Sequence, residues 1–440
     1  MAIELSNVTF TNHADVVPLS GVENIVNTGI SNTLAGGDTI NGYSDDTIST
    51  LEYEFTGFYN SGMLNTDSGN DLITGIFNDQ NSSFNTKIYQ KFGIRNIGGT
   101  IDTGDGNDII KGIIQKNQDL GYSFNAAILN DHQSTIYTGN GNDIIIGIHN
   151  ELFNHYGNAI VNRYSIDTGN GNDTITGITE RGIGIYSTGT INTGDGNDII
   201  EGTAIIGEGI FFTNNGVIDT SIKLDTGRGN DIIAGTGNTQ GLGINMTITT
   251  SDGNDTISGT GFSGVGFYNT GSVYTGDGDD IITGTSKDYF FSISNGNEYL
   301  TSSIIDTGDG NDIITGISGT GIYNSGIIKT GNGNDSLIAD GGSYLDFHYP
   351  DFHGQGSVFL ENGKDFLKGF GKGIFNGGNG KDTLELTSGF YTIEISGTTV
   401  NFIASQLNTT MQTSDFEILI AGVTTYDFSS LTNGQTIMVA

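Results

Sequence analysis

A twelve-residue pattern, I-x-T-G-x-G-N-D-x-I-x-G, recurs ten times along the chain, and this repetition constrains the fold more than any local propensity can. Its copies align on Asp71, Asp108, Asp143, Asp173, Asp198, Asp231, Asp255, Asp280, Asp312 and Asp335. Gly stands two positions before each Asp, Thr five before, and an apolar residue, from Ile73 to Leu337, two after. A second apolar row, from Leu64 to Ile328, lies seven before. Segments this short, bounded by Gly and alternating apolar with polar residues, read as strands and not as helices.

The Asp-to-Asp spacing ranges from 23 to 37 residues, because insertions enter between the Gly four after Asp and an Asn eleven before the next Asp. The shortest copies define a coil of about 23–25 residues with three short strands. One such coil cannot bury its own Ile rows, but stacked coils can. The expected fold is therefore all-β: a parallel β-helix or β-roll solenoid with loop insertions and a small C-terminal β cap. Residues 1–35 are expected to form an N-terminal cap and 36–345 the long coils. Residues 346–386 follow as a junction loop and a shorter coil, and 387–440, with strand-like runs such as Phe390-Tyr-Thr-Ile-Glu-Ile-Ser, as the C-terminal cap.

Charge narrows the partners. The 440 residues include 50 acidic and 15 basic side chains, a formal charge of −35. Binding to phosphate needs clustered Lys and Arg, so no nucleic acid partner is expected and an anionic membrane surface is disfavoured. Without Cys there are no disulfides, thiol nucleophiles or zinc–thiolate sites. No apolar run approaches the roughly 18 residues of a membrane span. The start, Met1-Ala-Ile-Glu-Leu-Ser-Asn-Val, lacks the basic and apolar regions of a cleaved secretory signal.

Stacking the coils piles the Asp residues into a column. Two unit charges about 4.8 Å apart repel by roughly 0.9 kcal/mol at a dielectric constant of 80 and roughly 3.5 kcal/mol at 20. Hard divalent cations between turns would answer that repulsion, held by Asp carboxylates and by carbonyls of the Gly-rich turns, all oxygen donors suited to Ca2+. Capping of each turn by its own Asp, with no ion, is the simpler alternative.

The stretch Gly377-Gly378-Asn-Gly380-Lys-Asp382-Thr-Leu-Glu resembles in full the nonapeptide G-G-x-G-x-D-x-U-x of hemolysin-type, or RTX, calcium-binding repeats. The ten upstream copies resemble it with Thr in place of the first Gly, and with Asp67 and Ser251 replacing the second in two of them. Asp365 precedes Asp382 by 17 residues, close to the family's 18-residue coil. The resemblance implies Ca2+ as cofactor, with all twelve Asp residues, Asp71 through Asp382, as ligands. Carbonyl ligands would come from turn glycines such as Gly104 and Gly106, Gly194 and Gly196, Gly308 and Gly310, and Gly378 and Gly380. It also implies unprocessed export by a type I secretion system and a secreted, extracellular or cell-surface location. One motif per long coil implies a single column of ions.

Other constellations have plainer readings. The Asn at 27, 60, 162, 269 and 324 is expected to form an internal amide ladder at a corner. Period-two alternation turns the Thr column inward, which disfavours an exposed ice-binding lattice. Aromatic residues of the insertions, including Phe77, Phe84, Tyr89, Phe92, Tyr122, Phe153 and Tyr289, are expected to dock on the solenoid flank. The run Asp346-Phe-His348-Tyr-Pro-Asp351-Phe-His353 is expected to be a polar junction loop. The functional expectation is a non-enzymatic structural, surface or adhesion protein, with a cell surface or polysaccharide as partner. A polysaccharide lyase or epimerase and an ice-binding rod are the alternatives, the first by analogy of fold alone.

Overall fold

The computed structural model describes residues 2–18, 23–45, 55–78, 90–117, 124–151, 157–214, 222–288, 291–317, 320–341, 343–344, 347–348 and 350–440. Among them there is no α-helix, and short parallel strands dominate. The chain divides into two compact units, Met1–Asn238 and Thr239–Ala440.

In the first unit each coil runs as expected through three strands. Leu72–Asn78, following Asp71, pairs in register with Ile109–Asn117, which pairs with Ile144–Glu151, so that Ile73, Ile110 and Ile145 stack. Phe92–Ile97 and Asn125–Asp131 form the second strand of their coils, and Thr100–Asp102 and Thr135–Tyr137 the third. Ile73, Ile94, Ile101 and their equivalents one coil on are all 0% exposed, so a single aliphatic core runs along the coil axis. Parallel strands with both flanking coils in place satisfy their backbone groups without any further layer.

The Gly four after Asp, replaced by Ala339 in the tenth copy, has a steric cause. A Cβ on Gly75 would lie 2.2 Å from the carbonyl oxygen of Gly93, and one on Gly177 would lie 2.2 Å from that of Gly184. In the coils that carry this Gly the first and second strands thus approach too closely here for a side chain. Beyond this pinch the insertions build a second core. Phe77, Ile114 and Ala127 pack with Phe55, while Phe92, Ala126, Leu129 and Val161 pack with Phe124 and Tyr186. Docking of aromatic residues on the flank therefore holds for Phe77 and Phe92; Phe84, Tyr89, Tyr122, Phe153 and Tyr289 lie outside the described residues.

The second unit repeats the scheme. Thr256–Gly261, Ile281–Ser286, Ile313–Ile317 and Ser336–Asp340 stack as first strands, continued by Phe366–Lys368 and Thr383–Leu386. The C-terminal segment closes the stack as a β cap. Gly389–Ser396, Thr399–Ala404, Thr409–Ser414 and Thr436–Val439 pair antiparallel with one another. Thr409–Ser414 also pairs parallel with Gly373–Asn376 of the last coil, and Ile418–Ala421 with Thr383–Leu386. At the other terminus the first coil begins inside the segment assigned to the cap, since Ile25–Asn27 and Ile30–Asn32 already pair with coil strands.

Candidate functional site

The turn T-G-x-G-N-D sits between the third strand of one coil and the first strand of the next, and its glycines are dictated by contact between coils. Gly104, Gly194, Gly308 and Gly378 have φ between 81° and 97°, a left-handed conformation that costs Gly nothing. The second Gly of the turn lies against its counterpart in the previous coil. A Cβ on Gly106 would fall 1.4 Å from the Gly69 carbonyl oxygen, and the corresponding distances at Gly196, Gly310 and Gly380 are 1.6, 1.7 and 1.6 Å. These turns are stacked peptide on peptide, with carbonyls directed along the stack.

The Asp that ends each turn points inward. Asp71, Asp108, Asp143, Asp173, Asp198, Asp231, Asp255, Asp280, Asp312, Asp335, Asp365 and Asp382 are each at most 2% exposed. Their Oδ1 atoms are used structurally. The backbone N–H of Asp71 donates to Asp108 Oδ1 at 2.8 Å, that of Asp108 to Asp143 Oδ1 at 2.7 Å, and that of Asp143 to Asp173 Oδ1 at 2.8 Å. In the second unit Asp280 donates to Asp312, Asp312 to Asp335, Asp335 to Asp365 and Asp365 to Asp382 in the same way.

The other carboxylate oxygen is stranded. Oδ2 of Asp71, Asp108, Asp143, Asp173, Asp198, Asp280, Asp312, Asp335, Asp365 and Asp382 is buried without a hydrogen-bond partner. Beside it lies the Thr hydroxyl of the same turn, Thr103 for Asp108 and Thr307 for Asp312. Each hydroxyl has a single proton to share between the carboxylate and the carbonyl of the next Thr, Thr138 at 3.3 Å from Thr103 and Thr330 at 3.2 Å from Thr307. An ionised Asp thus competes with a carbonyl for its one donor at Oδ2, whereas a protonated one can itself donate to the Thr oxygen.

Electrostatics follow from this geometry. Burial pushes the Asp108, Asp198, Asp312 and Asp365 carboxyls up to about 7, against the opposing pull of the neighbouring N–H on Oδ1 and, at the first three, of the turn Thr hydroxyl. Burial raises Asp71, Asp143, Asp231, Asp280 and Asp382 to about 6. Neighbouring carboxylates of the column add to the rise, as Asp71 and Asp143 do at Asp108. The column therefore binds protons more tightly than isolated carboxylates would.

For Ca2+ the donor chemistry fits in part. Stranded Asp oxygens and peptide carbonyls are hard anionic and neutral oxygen donors. Among the described residues, however, no three or more His, Asp or Glu side chains converge on one point. A cation here would rest on one or two Asp residues per step, with backbone oxygen supplying the remainder.

Three members of the column escaped sequence reading. Asp38 carries part of the signature, Thr33 five before, Gly36 two before and Ile40 two after, but Ser31 in the apolar place seven before, and its N–H donates to Asp71 Oδ1 at 2.6 Å. Asp15 donates its N–H to Asp38 Oδ1, and at the far end Asp382 donates to Glu417 Oε2 at 2.8 Å. Glu417 lies in the cap, where no periodicity marks it.

The Asn ladder forms as expected and is longer. Asn27, Asn60, Asn96, Asn130 and Asn162 are linked by Nδ2 to Oδ1 bonds of 2.8 to 2.9 Å, as are Asn269, Asn295 and Asn324. Asn96, Asn130 and Asn295 escape the spacing rule because extra residues enter after them. The Thr column is 0% exposed, which leaves it no contact with ordered water outside. At the junction, Asp351 accepts from the Phe370 N–H at 2.8 Å, from the Gly341 N–H at 3.1 Å and from the Thr387 hydroxyl at 2.5 Å. It staples the loop, while His353 packs edge-on against Phe291. Asp346 lies outside the described residues.

No protein-family model matches the chain, and no curated protein matches it.

Proposed function

We propose that the chain is a calcium-binding β-solenoid, a non-enzymatic structural, surface or adhesion component that folds after export, when it meets extracellular calcium. The observation that carries this reading is the column of stranded Asp Oδ2 atoms. Near neutral pH these carboxylates are buried, close to one another and short of donors at Oδ2, so the folded chain gains from any hard cation that reaches them. Asp71 through Asp382 would hold the ions, helped by the carbonyls of the stacked turn glycines, and the bound metal would supply the counter-charge that the protein itself lacks. At free calcium ten times Kd, one site stabilises by about 1.4 kcal/mol, so even a few independent sites match a sizeable part of a domain's stability. The recurring T-G-x-G-N-D turn and the full nonapeptide at 377–385 support the same reading from sequence. Export by a type I route, and a cell surface or polysaccharide as partner, belong to this proposal.

Equilibrium dialysis against micromolar to millimolar calcium, followed by elemental analysis of the protein, tests it. Several calcium ions per chain are expected, with fewer in a variant carrying Asp143→Asn and Asp173→Asn. A metal-free protein at millimolar calcium would refute the reading.

A further inference from the structure

Acidic residues are unevenly placed on the first unit. They crowd the turns and third strands, as at Asp102, Asp105, Asp167 and Asp195, and leave the outward face of the first strands almost bare. That face comprises the residues one, three and five after each column Asp, from Asp38 to Asp231. They alternate with fully buried neighbours, and several are well exposed, Ile178 at 43% and Ile232 at 38%. Across seven coils these positions are aliphatic, Thr or otherwise uncharged, except Lys111 and Glu201.

Those two residues share one row. Its register partners run Asn41, Thr74, Lys111, Ile146, Thr176, Glu201, Ala234. Lys111 and Glu201 are therefore three coil steps apart, about 14 Å, too far to pair within one molecule. They are also symmetric about the midpoint between Ile146 and Thr176.

We infer that this face is a self-association surface on which a second copy of the chain packs antiparallel. A two-fold axis along the strand direction, through that midpoint, sets Lys111 opposite Glu201 of the second copy, and Glu201 opposite Lys111. The same operation sets Ile146 opposite Thr176 and Thr74 opposite Ala234, so that no other charge is buried. A co-directional stack would instead oppose Lys to Lys and Glu to Glu. At a net charge of −35, a second copy can approach only where carboxylates are absent, and this face is such a place. Six coil steps of about 4.8 Å and strands of about 17 Å give roughly 1,000 Å2 over both copies, near the floor for a specific interface. An interface of this size suits a reversible dimer, and a micromolar dissociation constant is the expected range. None of this depends on the metal.

Sedimentation equilibrium of the full chain, with folding checked by circular dichroism, tests the assignment. Wild type is expected to dimerise with a micromolar constant. Lys111→Glu and Glu201→Lys should each weaken the dimer by at least about tenfold, since each places like charges opposite one another twice. The double swap, K111E with E201K, should restore wild-type association to within about threefold. A wild type that stays monomeric throughout the micromolar range would overturn the proposal and leave the face to a different occupant. Single variants that associate like wild type, or a double swap no better than either single, would overturn it equally.

Discussion

The backbone N–H of Asp108 donates to Oδ1 of Asp143 in the following coil at 2.7 Å, and one residue earlier the N–H of Asn142 donates back to Oδ1 of Asn107 at 2.7 Å. Adjacent residues of one turn thus clamp neighbouring coils from opposite directions. Asp reaches backward on the inside and Asn forward on the outside. Asn suits the exposed position because its amide needs no counter-charge, whereas the buried Asp does, and from that difference the behaviour of the solenoid follows.

Metal-free protein should be more stable in mild acid than at neutral pH. The column carboxyls have folded-state values raised from the ordinary 3.8 to about 6 or 7. Between 3.8 and those values the folded chain holds protons that the unfolded chain has lost, so stability falls as pH rises through this window. Thermal melts in chelator should show the highest Tm near pH 4 and a steady loss toward pH 8.

Asp143→Asn should act in opposite directions with and without calcium. The amide oxygen can still accept the Asp108 N–H, and the amide group can donate to Thr138 where the carboxylate could not. In chelator at pH 8 the variant should be more stable than wild type, by about 1–2 kcal/mol. In millimolar calcium it should be less stable, because one anionic ligand has gone. Chemical denaturation under both conditions checks the change of sign.

Gly141→Ala should be among the most damaging single substitutions. Its Cβ would lie 1.4 Å from the Gly106 carbonyl oxygen, and only a shift between two coils can relieve that contact. A loss of about 3 kcal/mol or more is expected. Gly397→Ala, at φ 62° with nothing within 4 Å, should cost only about 1 kcal/mol. The difference in denaturation midpoint between the two variants separates contact between coils from backbone conformation alone.

Asn130→Ala removes a buried amide that bonds to Asn162 Oδ1 at 2.9 Å and to the Ser165 carbonyl at 2.7 Å, and that receives the Asn96 amide. Several groups would be left without partners, for a loss of about 2–4 kcal/mol. Hydrogen exchange should show the loss concentrated in the coils on either side of Asn130.

Much of this was legible in the sequence, because a solenoid writes its contacts as periods. The Ile rows at Ile73, Ile110 and Ile145 gave the strands and their register, and alternation turned Thr103 and its equivalents inward. The repeated Gly at 75 and 177 was visible, but its cause was not, since the pinch is a contact between two strands whose spacing varies with each insertion. Asn96 and Asn130 were hidden in the same way, by residues inserted on their other side. Glu417 was illegible because the cap that delivers it to Asp382 has no repeat. The inward reach of the Asp column could not be read from spacing, because a carboxylate at a turn is equally able to face solvent. The burial of Asp108 and its Oδ1 bond to the Asp71 N–H settle which way it points.

A calcium titration of the melting temperature at pH 8 tests the central claim most directly. If buried carboxylates under-satisfied at Oδ2 govern the fold, a stripped sample melts low, Tm climbs with each increment of calcium, and the climb shrinks as the pH falls toward 5. A stripped sample with the same high Tm at pH 5 and pH 8, unmoved by calcium, would contradict the account.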